Sequence, residues 1–151
     1  MKLRVLVVDD EALSRKVLIM LLQRLGAEEV TVAESFTEAI DLLSKDASFR
    51  LVITDHFMPD GRGAHLLGKI RQGALAVAHD TYVVISTTSE SFRLQAVALA
   101  LDADAFLTKP YSKENLAASM LGFMNAKSRN LKPASYYQGL DVAGMVEAAE
   151  R

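Results

Sequence analysis

Short apolar, β-branched runs alternate along the chain with segments in which apolar residues recur at helical spacing. The first, third and fourth runs are almost continuously apolar, which is typical of parallel strands buried on both faces. The pattern predicts five strands: Leu3–Val8, Val30–Ala33, Leu51–Asp55, Tyr82–Ser86 and Ala105–Thr108.

Five helices are predicted between and after these strands. Ser35 and Glu38 frame a capping box, Ser112 is a capping residue, and Gly26 and Gly73 are stop signals. Apolar residues at helical spacing mark four of the helices. The first has Leu13, Val17, Leu18, Leu21, Leu22 and Leu25, and the third has Leu66, Leu67 and Ile70. The fourth has Phe92, Ala96, Leu99 and Ala100, and the fifth has Leu116, Met120, Leu121 and Met124. This alternation predicts an α/β fold, a doubly wound parallel sheet of order 2-1-3-4-5 with helices on both faces.

Length and composition restrict the class of protein further. The 151 residues are half hydrophobic, which suits one compact domain. A net charge of −2 argues against a nucleic-acid-binding surface, and the lack of cysteine excludes disulfides and thiolate metal sites. The longest apolar run, Val17 to Leu22, is too short to span a bilayer, and the N-terminus does not follow the plan of a signal peptide. We therefore expect a soluble, cytoplasmic protein without membrane partners.

The pattern stops near Lys127, so we expect a domain over residues 1–126 and a C-terminal tail over 127–151. Pro133 interrupts any continuing helix, and Tyr136 to Gly139 is predicted to be irregular. Leu140 to Glu150 is predicted to form a short helix, which at this length needs a docking surface. Two interpretations stay open: a frayed end or linker, and a segment that docks on its own domain or on a partner.

Polar residues stand at the carboxyl ends of four predicted strands. They are Asp9 and Asp10 after the first, Asp55 at the third, Ser86, Thr87 and Thr88 at the fourth, and Lys109 and Pro110 after the fifth. These ends meet at one edge of a parallel sheet, where sites form. Clustered carboxylates favour a hard divalent cation such as Mg²⁺. The alternative is that Asp9 caps the first helix and Asp10 favours its positive end.

Together, four segments over about Lys2 to Ala126 make the chain resemble the receiver domains of two-component response regulators, in particular the flavodoxin-like, single-domain chemotaxis type. They are Val-Val-Asp9-Asp10-Glu11, Val-Ile-Thr-Asp55-His-Phe-Met58-Pro59, Val-Ile-Ser-Thr87 and Phe106-Leu-Thr-Lys109-Pro110. The resemblance implies that a histidine kinase or histidine phosphotransfer protein donates a phosphoryl group to Asp55. It also implies Mg²⁺, held directly by Asp10, Asp55 and the main-chain carbonyl of Phe57, and by Asp9 through a water.

The remaining implied roles concern charge and switching. Lys109 is implied to neutralise one phosphoryl oxygen, and the Thr87 hydroxyl to donate to another. Thr87 and Phe106 are implied to switch a surface that binds a downstream protein, although Phe106 is equally well explained as a core residue. A homodimer through the fourth helix, fifth strand and fifth helix is compatible with the resemblance. The protein is expected to act as a binding module and not as a turnover enzyme.

Some positions depart from the family pattern. Arg62 stands where an acidic residue is usual, and Gly63 remains available for unusual backbone angles. Thr88 replaces a smaller residue, Phe57 lacks the polar group that helps to place an attacking water, and Ser89 is small and uncharged. We therefore expect slow loss of the phosphoryl group.

Two other interpretations stay open. A stand-alone receiver is the leading hypothesis, and its rival is a regulatory domain excised from a larger response regulator, with the tail as a linker. A Mg²⁺-dependent phosphatase on a similar sheet is disfavoured, because such enzymes carry Asp-x-Asp after the first strand, whereas this chain has adjacent Asp9 and Asp10. His56, His65 and His79 match no metal-binding spacing, and we assign them no chemistry.

Overall fold

The computed structural model describes residues 3–88, 92–125 and 129–151. Its strands are β1 Arg4–Val8, β2 Glu29–Ala33, β3 Leu51–Asp55, β4 Phe57–Met58, β5 Gly61–Arg62, β6 Tyr82–Thr87 and β7 Ala105–Thr108. Its helices are α1 Ala12–Arg24, α2 Phe36–Lys45, α3 Gly63–Arg71, α4 Phe92–Ala100, α5 Lys113–Met124, α6 Ala134–Gln138 and α7 Val142–Glu150. Within these ranges, none of the helices combines the length and the apolar character that crossing a bilayer requires.

Five parallel strands form the main sheet, in the order β2-β1-β3-β6-β7. This confirms the predicted order 2-1-3-4-5, because β4 and β5 form a separate two-stranded hairpin directly after β3. In the register of the sheet, Asp55 lies beside Ser86, and Thr87 lies beside Thr108. The residues that end the central strands therefore share one edge.

The core has a layer on each face of the sheet. Successive residues of β1 alternate between them: Val5 and Val7 pack with α1 and α5, whereas Leu6 and Val8 pack with α2, α3 and α4. Some predicted core positions are wrong. Seven of them are exposed because they lie on the outer faces of their helices: Leu13, Phe92, Ala96, Leu99, Ala100, Leu121 and Met124.

The predicted helix boundaries are confirmed at their signals. Gly26 and Gly73 follow α1 and α3 with φ of 98° and 70°, the left-handed region that glycine adopts without strain. The Ser35 hydroxyl accepts from the Glu38 backbone N–H at 3.1 Å, and the Ser112 hydroxyl caps α5 in the same way.

The C-terminal tail packs on the domain that precedes it. The prediction of irregular structure at Tyr136 to Gly139 is wrong, since α6 covers Ala134–Gln138. Tyr137 within it is fully buried, and its hydroxyl donates to Asp102 Oδ2 at 2.5 Å. The helix predicted from Leu140 is present as α7, which lies against α3 and α4. Lys127, where the tail was predicted to begin, lies outside the described residues.

A group of charges, the arginine cluster, lies at the amino end of the sheet. The Arg71 side chain is fully buried and donates to the backbone oxygens of Thr81 at 2.7 Å and Asp102 at 2.9 Å. Arg71 also lies 3.0 Å from Asp104 Oδ2, and Arg129 donates to both oxygens of the same carboxylate at 2.6 and 2.8 Å. The cluster joins the ends of α3, β6 and β7 to the segment that leads into α6.

Candidate functional site

A lysine bridges three carboxylates at the carboxyl end of the sheet. Lys109 Nζ lies 2.9 Å from Asp55 Oδ2, 3.0 Å from Asp9 Oδ2 and 3.4 Å from Glu11 Oε1. Asp9 and Asp55 come from adjacent central strands, while Lys109 follows the edge strand β7. The structure thus brings together Asp9, Asp55 and Lys109 as the sequence indicated, and it adds Glu11, to which the sequence analysis assigned no role.

The turn between β1 and α1 fixes the first of these carboxylates. Asp9 Oδ1 accepts from the Glu11 backbone N–H at 2.9 Å, and the Asp9 carbonyl accepts from Arg15 Nη1 at 2.9 Å. The alternative in which Asp9 caps the first helix is wrong, because the N-cap of α1 is Glu11, whose side chain makes no capping bond. The second oxygen of Asp9 is left to face Lys109.

Burial and neighbouring charges together set the pKa values of Asp55 and Lys109. Burial raises the pKa of Asp55 above its ordinary value, against the opposing hydrogen bond from Lys109. Burial alone would lower the pKa of Lys109, but its hydrogen bond to Asp55 and the neighbouring Tyr111 and Asp9 outweigh that effect and raise it. The ammonium therefore stays charged at neutral pH. Three carboxylates around one ammonium leave the site with excess negative charge.

The donor set fits a hard divalent cation. Single carboxylate oxygens of Asp9, Glu11 and Asp55 all lie within 4.8 Å of one another. Asp9 Oδ2 is buried, and its partner among the described residues is the Lys109 ammonium at 3.0 Å. Asp10 is exposed and is not part of this group, although it follows Asp9 directly. Oxygen ligands of this kind suit Mg²⁺.

Hydroxyl groups flank the carboxylates on one side. Thr87 ends β6 and is half buried. The neighbouring Ser86 is buried, and its hydroxyl lies 2.9 Å from that of Tyr111. Burial raises the pKa of Tyr111 to about 12, so this phenol stays protonated. The sequence analysis overlooked Tyr111, although it follows Lys109 and Pro110 at the same edge.

Phe106 lies on β7, beside Ile85 of β6. Its ring is half buried and packs against the core layer that holds α2, α3 and α4. This position fits the core interpretation and is also compatible with a ring that moves, so its role as a switch stays a prediction.

Residues 56–62 follow Asp55 directly and are held close to it. The backbone N–H of Phe57 donates to Asp55 Oδ1 at 3.4 Å. Gly63 is needed for a reason that differs from the predicted one: its φ is not positive, but an added Cβ would lie 2.6 Å from the Asp55 carbonyl oxygen. Thr88 is exposed, and Ser89 lies outside the described residues.

Known proteins share this fold and most of this length. The family model of the response regulator receiver domain matches residues 5–121. The chemotaxis protein CheY homolog of Campylobacter jejuni is 31% identical over 115 residues, covering 76% of this chain and 86% of that protein. Chemotaxis protein CheY1 of Helicobacter pylori is 30% identical, covering 76% of this chain and 90% of its own length.

Solved structures agree with the sequence relatives. The chemotaxis protein CheY4 of Vibrio cholerae superposes with a TM-score of 0.71 at 27% identity, covering 80% of this chain and 98% of that one. A response regulator receiver domain protein from Clostridium thermocellum gives 0.72 at 26% identity, covering 82% and 95%. With its parallel sheet and its acidic cluster around a lysine, the chain belongs to the response regulator receiver domain family.

Proposed function

We propose that this receiver accepts a phosphoryl group on Asp55 from the phosphohistidine of a histidine kinase or histidine phosphotransfer protein. The observation that carries the proposal is the placement of Lys109 between Asp55 and Asp9, in a pocket with more carboxylates than cations. The functional unit is the domain over 1–126, and the phosphorylated form binds a downstream protein.

Asp55 supplies the nucleophile. Its carboxylate oxygen forms a bond to phosphorus while the bond from phosphorus to the donor imidazole breaks, and the electron pair returns to the imidazole nitrogen. The attack requires the ionised carboxylate, whose charge Lys109 compensates at 2.9 Å. The same ammonium then neutralises a phosphoryl oxygen, and the Thr87 hydroxyl donates to a second.

The acidic cluster supports a Mg²⁺ site. We propose that Asp10, Asp55 and the main-chain carbonyl of Phe57 hold the ion directly, with Asp9 acting through a water. A bound Mg²⁺ offsets the repulsion between the acceptor carboxylate and the incoming phosphoryl group. The excess of carboxylates over the single Lys109 ammonium supports a further cation at this point.

The output is a change in partner binding. Movement of Thr87 toward the phosphoryl group would open space beside β6 that the Phe106 ring can enter. A shift between 1:99 and 99:1 populations needs about 5.5 kcal/mol, which two or three charge-assisted hydrogen bonds of about 1.5–3 kcal/mol each can supply. A homodimer through α4, β7 and α5 is compatible with this output.

Phosphotransfer tests the proposal directly. Wild type, Asp55→Asn and Asp41→Asn are incubated with Mg²⁺ and a small-molecule phosphoryl donor such as acetyl phosphate, and the incorporated label is measured. Asp41 is the control, because it is an exposed carboxylate on α2 that pairs with Lys45. We expect label on wild type and on Asp41→Asn and none on Asp55→Asn. Equal labelling of all three proteins would remove Asp55 as the acceptor.

A further inference from the structure

Helix α7 presents an apolar face to α3 and α4. Val142 and Val146, one helical turn apart, are buried in the core layer of that side, and Met145 and Ala149 pack beside them. The groove is shaped for this helix at Gly68 of α3, where an added Cβ would lie 2.8 Å from Val142 Cγ1. The α3–α4 face is therefore a helix-binding groove that a segment of the same chain already occupies.

The far end of α7 reaches the loop of residues 56–62. Glu150 Oε1 accepts from Arg62 Nε at 2.6 Å. Arg62 donates in turn to the carbonyls of Met58 at 3.1 Å and Gly61 at 3.3 Å, and its guanidinium lies 5.2 Å from the centroid of the Phe57 ring. Arg62 therefore contacts both α7, through Glu150, and the loop that follows Asp55.

The loop has a second anchor on its other side. Asp60 accepts from the backbone N–H groups of Phe36 at 2.9 Å and Thr37 at 3.0 Å, at the start of α2. The α2 anchor belongs to the region that matches the receiver family, whereas α7 lies beyond residue 121, where that match ends. The α7 anchor is attached to α3 and α4 and contributes no strand to the sheet.

We propose that α7 is an intramolecular ligand of the α3–α4 groove, and that the Arg62–Glu150 pair couples its docking to cation binding at the acceptor site. The inference rests on the proposed function, since it takes Mg²⁺ as the ligand of that site. Loss of Glu150 removes a negative charge, leaves Arg62 unpaired and loosens the loop that carries the Phe57 carbonyl. All three effects weaken cation binding. Coupling is reciprocal, so Mg²⁺ also strengthens the docking of α7.

Two measurements on the full chain test the coupling. Mg²⁺ affinity is measured by titration, and amide hydrogen exchange of α7 is followed with and without Mg²⁺. The variant is Glu150→Gln and its matched control is Glu147→Gln, because Glu147 lies on the exposed side of α7, 3.8 Å from Arg151. We expect Glu150→Gln to weaken Mg²⁺ binding and to speed α7 exchange about two- to fivefold, the range of a partly exposed ion pair. Glu147→Gln should match wild type in both.

Each outcome decides between the proposals. Slower α7 exchange on adding Mg²⁺ to wild type, with little change in Glu150→Gln, supports the coupling. Equal Mg²⁺ affinity in the two proteins overturns it while leaving the proposed function intact. Failure of wild type to bind Mg²⁺ overturns both. Val146→Asp provides a stronger test, because a buried carboxylate undocks α7, and its Mg²⁺ affinity should fall at least as far as that of Glu150→Gln.

Discussion

Both ends of the parallel sheet hold buried charged side chains, but the charges are balanced in opposite ways. At the amino end, the guanidinium groups of Arg71 and Arg129 share the Asp104 carboxylate, and the Nη1 group of each donates to backbone carbonyls, whereas the buried Arg71 Nε has no partner among the described residues. At the carboxyl end, the single ammonium of Lys109 faces three carboxylates. The charges at the amino end hold elements of the fold together, whereas the charges at the carboxyl end can bind a further cation.

The difference shows how a structural cluster can be told from a functional one in this fold. In the arginine cluster, the Asp104 carboxylate also accepts from the Val83 backbone N–H at 2.8 Å, so its oxygens have donors. In the acidic cluster, the single ammonium of Lys109 is shared by Asp9, Glu11 and Asp55, so the carboxylates outnumber the cation. Buried negative charge in excess costs stability, and it is kept where a ligand can supply the missing positive charge.

The largest effect is expected in the arginine cluster, at the amino end of the sheet. Arg71→Met should lower the free energy of unfolding by about 3–5 kcal/mol, because it leaves buried acceptors without a donor. Lys45→Met, which removes an exposed pair with Asp41, should change it by less than about 0.5 kcal/mol. Urea denaturation measures both. A loss below about 1 kcal/mol in Arg71→Met would show that the arginine cluster is dispensable.

The next effect distinguishes the predicted cation ligand from its neighbour. Asp10→Asn should weaken Mg²⁺ binding by at least about 10-fold, since the proposed direct ligand is lost and even outer-shell partners of a metal contribute about 10- to 100-fold. Glu11→Gln should weaken it less than about threefold, because Glu11 is not a ligand in the proposed arrangement. Mg²⁺ titration of the two variants at constant ionic strength checks this. The reverse ranking would assign the ion to Asp9, Glu11 and Asp55.

A third effect comes from protonation of His56, the residue that follows Asp55. His56 is 3% exposed, and burial lowers its pKa to about 4, with Glu150 opposing that shift and Arg62 and His65 adding to it. Because this pKa is below the unfolded value of 6.5, the neutral ring contributes stability that is present above pH 6.5 and lost as pH falls towards 4. We expect a loss of about 1–3 kcal/mol across that window. Unfolding of wild type and His56→Gln at several pH values measures it; the same slope in both would exclude His56 as the source.

The smallest effect is a rise, and not a fall, in the free energy of unfolding. Burial raises the pKa of Asp55, so its charged form destabilises the fold at neutral pH. Asp55→Asn should therefore raise the free energy of unfolding by about 1 kcal/mol at pH 7 without Mg²⁺. The gain should disappear at a pH low enough to protonate the wild-type carboxyl. Thermal unfolding with and without Mg²⁺ tests the sign, and destabilisation by Asp55→Asn would contradict an excess of negative charge.

The sheet and its polar edge could be predicted because their signals are local. Continuous apolar runs identify buried parallel strands, and the residue after each run must lie at the shared edge, which brings Asp9, Asp55 and Lys109 together. Arg71 could not be predicted, since an arginine at the end of a helix normally lies in solvent. Its burial depends on carbonyls of Thr81 and Asp102 that are distant in sequence.

The tail was predicted only in part for a similar reason. Val142 and Val146 are spaced for a helix, but nothing in the sequence says that Gly68 provides the surface that receives them. The helix α6 was missed because its five residues carry no periodic signal, and the burial of Tyr137 depends on Asp102. Long-range partners, rather than local preference, determine both features.

The position of Arg151 has a practical consequence. Its carbonyl oxygen accepts from Arg93 on α4 at 3.1 Å, one residue after the pair that joins Glu150 to Arg62. A bulky label attached at Arg151 would therefore disturb both contacts. Labels for biochemical assays should be placed away from this position.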